Sequence, residues 1–189
     1  MVRLVHSVVP ALAAVGALAA IAVVPAVLNA VVPTRETAVA AGTTVTLTAT
    51  GFGSLDAGAD PANAVTFAVP EAMRRVATGD EARALFRSED GDTRLGISAV
   101  YGITDFDTAG PRMLLPIRAS DPKAHFDGGT VDAGSFRGLL CVLPKVTGGV
   151  CAVANSGDVG VTITVSGSTP EAGRALIQAV LESSRAVQA

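Results

Sequence analysis

The chain has 189 residues, and its 17 acidic side chains outnumber 14 lysines and arginines, so that the net charge is −3. Nucleic acid binds basic surfaces, so a net acidic chain argues against a nucleic-acid partner. The chain has no tryptophan and one tyrosine, which also argues against aromatic platforms for sugars or bases. No cofactor-binding motif occurs, and we expect no cofactor.

The most informative segment is an apolar run near the N-terminus. No charged side chain occurs from Ser7 to Thr34. As an α-helix this run would reach roughly 40 Å, more than the roughly 30 Å of a bilayer core. The run therefore predicts a transmembrane anchor over residues 7–33. A long signal peptide cleaved after Ala40, where small residues cluster, is the alternative.

The lengths of the flanking parts indicate the orientation of this anchor. The head, residues 1–6, is too short to fold, whereas residues 43–189, after a linker of residues 34–42, are long enough for a domain. Both cysteines lie in the long part, which fits an oxidising compartment. We expect a single-pass cell-membrane protein with a cytoplasmic N-terminus and an extracytoplasmic domain, or a secreted domain after cleavage. Arginine far outnumbers lysine, a bias typical of GC-rich bacterial genomes.

The first half of the predicted domain is predicted to form mainly strands. Residues 43–50 and 64–69 alternate apolar and polar side chains, the pattern of half-buried strands. Residues 71–77 form either a short helical turn or an edge strand. Residues 82–87 and 93–101 flank an Asp-Gly pair, which predicts a β-hairpin.

The segment 102–134 lacks regular periodicity and contains three prolines and several aspartates. The sequence predicts a long loop there, or alternatively a strand or helix concealed within residues 110–117. Irregular loops on a sheet commonly carry recognition, so this segment is the candidate contact surface for a partner.

The last part of the chain is predicted to form three strands and a helix. The strands cover residues 136–143, 150–155 and 159–166, and short polar turns between them indicate an antiparallel meander. Ser168 with Glu171 predicts a capping box at the start of the helix. An apolar stripe predicts that this helix covers the sheet; its residues are Leu176, Ile177, Val180, Leu181, Ser184 and Val187. The predicted fold class is therefore α+β: an N-terminal transmembrane helix, then a mainly antiparallel sheet covered by a C-terminal amphipathic helix.

The two cysteines lie on neighbouring strands of the predicted meander. A turn between these strands could bring Cys141 opposite Cys151, so we predict a disulfide between them. A reactive thiol pair is the competing interpretation, but the Cys-x-x-Cys spacing is absent.

One group of residues could ligate a metal ion. Asp121, His125 and Asp127 combine two carboxylates with the only histidine outside the N-terminal region. The favoured interpretation is a solvated loop without a metal. The alternative is a small secreted or anchored hydrolase, or a metal-binding enzyme, that uses residues 120–132.

The strand at residues 65–71, the hairpin ending at Tyr101 and the terminal meander with its helix give the chain a recognisable layout. It resembles small extracytoplasmic α/β domains of actinobacterial membrane-anchored envelope proteins, with a layout similar to the PsbP and Mog1 group. The resemblance covers residues 43–187 and implies an accessory role or the binding of a partner or ligand. No residue role is implied by it. The predicted function is therefore a non-enzymatic, membrane-anchored module of a bacterial envelope or membrane complex, with other envelope proteins as its expected partners.

Overall fold

The computed structural model describes residues 36–53 and 59–187. This part of the chain forms three helices: α1 (Phe106–Met113), α2 (Leu115–Ser120) and α3 (Pro170–Ser183). The first six strands are β1 (Glu36–Val39), β2 (Thr44–Gly51), β3 (Ala59–Ala68), β4 (Met73–Val76), β5 (Arg83–Ser88) and β6 (Arg94–Tyr101). The remaining five are β7 (His125–Ala133), β8 (Phe136–Leu143), β9 (Gly149–Ser156), β10 (Val159–Ser166) and β11 (Arg185–Val187).

The predicted α+β class is confirmed for the described residues, which form a mostly antiparallel sheet with a C-terminal helix. No helix in the described ranges is long and apolar enough to cross a membrane. The predicted anchor over residues 7–33 lies outside these ranges, as does the head.

The main sheet has the strand order β1-β4-β5-β6-β10-β9-β8-β7, and every neighbouring pair in it is antiparallel. The predicted hairpin is present as β5–β6, and the predicted meander as β8–β9–β10. Gly91 has φ +83° in the β5–β6 turn, a conformation that favours glycine. β2 pairs with β3, β3 pairs with β11, and the end of β2 meets β6 in a short parallel pairing.

One face of the main sheet holds the core and is here called the covered face. Along β10 every second side chain points to it: Val159, Val161, Ile163 and Val165. Strands β2 and β3 and helix α3 pack on this face, and Phe67 of β3 meets Phe86 of β5 edge-on with ring centroids 6.1 Å apart. The predicted cover by the C-terminal helix is thus confirmed, with Ile177, Val180 and Leu181 buried.

The ends of α3 differ by a few residues from the sequence prediction. The N-cap is Thr169, not Ser168, because the Thr169 Oγ1 accepts the Ala172 N–H at 3.2 Å from an extended backbone. The helix ends at Ser183, since Ser184 is extended. Val187, which we predicted on the helix stripe, pairs with Ala64 in β11–β3 instead.

The segment 102–134 is not a long loop, and that prediction was wrong. It contains α1, α2 and β7, so the alternative of a concealed element is closer, although the helices extend beyond residues 110–117. Both helices are short and each carries a proline, Pro111 and Pro116, which obscures helical periodicity. Of the two interpretations of residues 71–77, the strand is correct, but β4 lies between β1 and β5 rather than at an edge. Strand β1 lies within residues 34–42, which we interpreted as a linker.

The predicted disulfide between Cys141 and Cys151 is present. The two residues are directly opposite each other on β8 and β9, with their Cα atoms 4.8 Å apart. Both are buried in a second, smaller cluster that includes Leu114 and Ile117 from the α1–α2 segment. The bridge therefore lies where these helices pack on the sheet.

Candidate functional site

The face of the main sheet opposite the covered face carries a groove of about 1130 Å³. Helices α1 and α2 cover this face over β8 and β9, but β5, β6 and part of β10 stay open to the groove. We call this side the groove face. Its floor consists mainly of small and hydroxyl-bearing residues, with Val100 of β6 beside them: Gly96 and Ser98 of β6, and Thr162, Thr164 and Ser166 of β10.

The register of the strands explains this floor. Arg83, Ser98 and Thr162 are opposite one another across three strands, and the next row consists of Leu85, Gly96 and Thr164. Because side chains alternate along a strand, these residues point away from the core that their neighbours fill.

Gly96 shapes the centre of the floor. A Cβ atom there would lie 2.7 Å from Thr164 Oγ1 and 3.2 Å from Leu85 Cδ2. A larger residue would push these two side chains into the groove. The glycine therefore keeps the depth of the groove between Leu85 and Thr164.

The walls of the groove are apolar and exposed. Leu115 of α2 is 56% exposed on one side, Leu85 of β5 is 47% exposed on the other, and Val146 at one end is 41% exposed. Only one further large apolar side chain in the described ranges is comparably exposed, Val187, which does not line the groove. Exposed apolar side chains concentrated around one concavity are typical of binding sites.

Helix α1 is capped at its N-terminus by Asp105, and it packs closely on the sheet at Gly160. The Asp105 carboxylate accepts the Thr108 hydroxyl at 2.6 Å and the Asp107 N–H at 3.1 Å. These bonds, the hydroxyl of Thr108 first, hold the pKa of Asp105 below its ordinary value. Gly160 lets Ile103 and Met113 approach β10, because a Cβ atom there would lie 2.3 Å from Ile103 Cδ1 and 2.8 Å from Met113 Cε.

The end of α2 is fixed by a buried carboxylate. Asp121 is 5% exposed, and its two oxygens accept the N–H groups of Lys123 at 3.1 Å and Lys145 at 2.8 Å. Lys145 Nζ donates in turn to the Ser120 carbonyl at 3.1 Å. Asp121 therefore links α2 to the β8–β9 turn and positions one end of the groove.

The three candidate metal ligands have separate partners. While Asp121 bonds the backbone, His125 is exposed and its Nδ1 lies 2.8 Å from the Lys123 carbonyl oxygen. Asp127 accepts the Gly129 N–H at 2.8 Å and pairs with Arg174 at 2.7 Å. Within the described ranges, no group of three or more His, Cys, Asp and Glu side chains is arranged to hold a metal ion.

The charge of the groove is opposite to that of the chain. Arg83, Arg112 and Lys145 line it, and the one carboxylate among the described lining residues, Asp121, accepts backbone N–H groups. Asp80 pairs with Arg83 at 3.2 Å, and their side chains are 42% and 61% exposed. The groove is thus a basic, apolar-walled site in a net acidic protein.

Sequence reasoning missed this groove. The signal that could have found it is the alternation on β6 and β10, where Gly, Ser and Thr occupy the positions between large apolar residues. Comparison with known proteins identifies no relative whose site residues could be carried over to this chain. No protein-family model, curated protein or solved structure matches it.

Proposed function

We propose that the chain is a membrane-tethered, extracytoplasmic binding module of a bacterial cell envelope, and that the groove binds an extended apolar part of its ligand or partner. The observation that carries the proposal is the concentration of exposed apolar side chains on the walls of one groove, Leu85, Leu115 and Val146. Burying such side chains on binding is favourable by about 25 cal/mol for each Å² removed from water.

The groove is large enough to hold a ligand. Its volume of about 1130 Å³ is slightly above that of ordinary ligand sites, which are roughly 300–1,000 Å³. The floor of hydroxyl groups and the apolar walls provide both polar and apolar contacts along its length.

Both carboxylates that the enzymatic alternative would use already have partners within the protein. Asp121 holds two backbone N–H groups, and Asp127 is paired with Arg174. These partners support an accessory or binding role over a hydrolase that uses residues 120–132. The apolar run at residues 7–33 and the Cys141–Cys151 bridge support a tether and an oxidising compartment.

The proposal is tested by photocrosslinking of the full chain in bacterial membranes. A photoreactive phenylalanine analogue is placed at Leu115 on the groove wall, and in a matched control at Val187, an exposed apolar residue outside the groove. We expect a defined adduct, identified by mass spectrometry, from position 115 and not from position 187.

Two results would contradict the proposal. Equal adducts from both positions would show nonspecific capture by exposed apolar residues. If the chain is recovered in the soluble fraction, with an intact mass that corresponds to cleavage after Ala40, the protein is a secreted domain and not a tethered one.

A further inference from the structure

We propose that the groove binds an anionic amphiphile, with its apolar chain between Leu85 and Leu115 and its phosphate or carboxylate head on a row of arginines beside the groove. This inference rests on the proposed function, because it names the ligand class of the same groove. The arginine row consists of Arg74, Arg87 and Arg94.

The strand register places the three arginines side by side on the groove face. Arg74 of β4 is opposite Arg87 of β5, and Arg87 is opposite Arg94 of β6. Residues directly opposite in an antiparallel sheet share a face, and neighbouring strands are about 4.8 Å apart, so the three Cα atoms fall within about 10 Å.

The arginine row adjoins the groove directly. Arg94 is opposite Ser166, which lines the groove floor. Arg87 follows the groove-wall residue Leu85 by two positions on the same strand, a distance of about 7 Å on the same face. A head group on the row can therefore belong to a molecule whose chain lies in the groove.

Three cations in adjacent cross-strand positions oppose folding, since like charges directly opposite one another destabilise a sheet. Protection of a sheet edge does not explain them, because β4, β5 and β6 are all interior strands. A bound anion would remove this repulsion, and the planar guanidinium group matches the geometry of phosphate and carboxylate.

Neighbouring carboxylates leave most of this charge available. Glu36 Oε1 lies 3.7 Å from Arg87 Nη1 and offsets one charge. The Asp90 carboxylate in the β5–β6 turn accepts the Ser88 hydroxyl and the Asp92 N–H, so it is directed into its own turn. The Arg74 and Arg94 side chains are exposed, and neither guanidinium group has a hydrogen bond or ion pair to another residue in the described ranges.

The apolar walls of the groove favour an amphiphilic ligand over a free anion. An inorganic anion would use the arginine row alone and leave Leu85 and Leu115 in water. A molecule with an acyl or similar chain would bury both leucines. Arg83 and Arg112 also line the groove and add to its positive charge.

The test uses the full chain in vesicles of neutral phosphatidylcholine and two photoreactive probes with identical diazirine acyl chains. One probe is a lysophosphatidic acid, and the other is the matched monoacylglycerol without phosphate. Labelling is mapped by mass spectrometry to the peptides that contain Leu85 and Leu115. We expect the phosphate-bearing probe to label these peptides at concentrations about tenfold lower, the gain of at least one charge-assisted contact.

Two double variants separate the arginine row from general charge. Arg74→Gln with Arg94→Gln removes the two unpaired members of the row. Arg75→Gln with Arg137→Gln removes equal charge elsewhere, because Arg75 is opposite Phe86 on the covered face and Arg137 pairs with Asp132 on β7. We expect only the first double variant to lose the advantage of the phosphate-bearing probe, while labelling by the neutral probe stays unchanged in both.

The possible failures are distinguishable. If neither probe labels the groove peptides, the amphiphile is refuted; the proposed function fails as well only if the photoreactive analogue at Leu115 also gives no adduct in bacterial membranes. If both probes label them equally and the row variant changes nothing, a groove for apolar chains remains but the anionic head is refuted. If glycerol phosphate, which has no chain, competes as well as unlabelled lysophosphatidic acid, the row is a free-anion site and the amphiphile is refuted.

Discussion

The two faces of the main sheet are built from the same strands and differ in nearly every side chain. On β5, Ala84 and Phe86 are buried in the core, whereas Arg83 and Leu85 line the groove. On β10 the core side carries valines and an isoleucine, whereas the groove side carries glycine, threonine and serine. The covered face is therefore specified for packing, and the groove face is specified for small size, hydroxyl groups and cationic charge.

This difference shows how a sheet can retain an open face. The covered face is closed by β2, β3 and α3, while α1 and α2 close only part of the other face. Where they stop, apolar wall residues remain in water, which is unfavourable unless they contact another molecule. Substitutions on each of the two faces, compared by their effect on the free energy of unfolding, test whether the faces have different roles.

The largest expected effect comes from neighbouring residues on opposite faces. Phe86→Ala should lower the free energy of unfolding by about 3–5 kcal/mol, because it leaves a cavity in the core beside Phe67. Leu85→Ala, one position earlier, should cost less than about 1 kcal/mol because its side chain is 47% exposed. Urea midpoints of the full chain in membranes, measured by pulse proteolysis, check both values. Equal losses would show that Leu85 is a core residue and that the groove is closed in solution.

The next effect concerns the part of the groove face that α1 and α2 cover. Replacing Cys141 and Cys151 by alanine should lower the free energy of unfolding by about 2–3 kcal/mol, because the bridge closes a segment with a separation of 10 residues. A reductant should destabilise the natural chain by a similar amount and leave the double variant unchanged. A reductant effect on the variant would show that another process, not loss of this bridge, is measured.

The covered face was predictable from the sequence, because its signals are local. Period-two alternation at residues 43–50 and 159–166 and the Asp-Gly turn indicated the strands and hairpin correctly. The spacing of the cysteines on a predicted meander indicated their pairing. Each of these patterns is complete within a few neighbouring residues.

The groove and the short helices were not predictable in the same way. Helix α1 has eight residues with Pro111 inside it, too few for periodicity to emerge. The arginine row exists only through register, since Arg74, Arg87 and Arg94 are irregularly spaced along the chain and meet across three strands. The strand order that brings β10 next to β6 is also non-local, and with it the groove floor.

The smallest expected effects on stability come from substitutions at Asp121 and His125. The sequence spacing grouped these two residues as metal ligands, whereas the structure gives each its own partners. Asp121→Ala should lower the free energy of unfolding by about 1–3 kcal/mol, since it leaves the N–H groups of Lys123 and Lys145 without their acceptor. Asp121→Asn should cost less, because its amide oxygen retains one of the two bonds. His125→Ala should change the value by no more than about 0.5 kcal/mol, as expected for an exposed residue.

The same urea midpoints, measured with and without added Zn²⁺, decide between positioning and ligation for these residues. A carboxylate that fixes α2 to the β8–β9 turn should affect stability equally in both conditions. Stabilisation by Zn²⁺ that disappears both in His125→Ala and in Asp121→Ala would instead establish a metal site shared by these residues. Because Asp127 already pairs with Arg174 at 2.7 Å, forming such a site would require that ion pair to break, and we expect no Zn²⁺ effect.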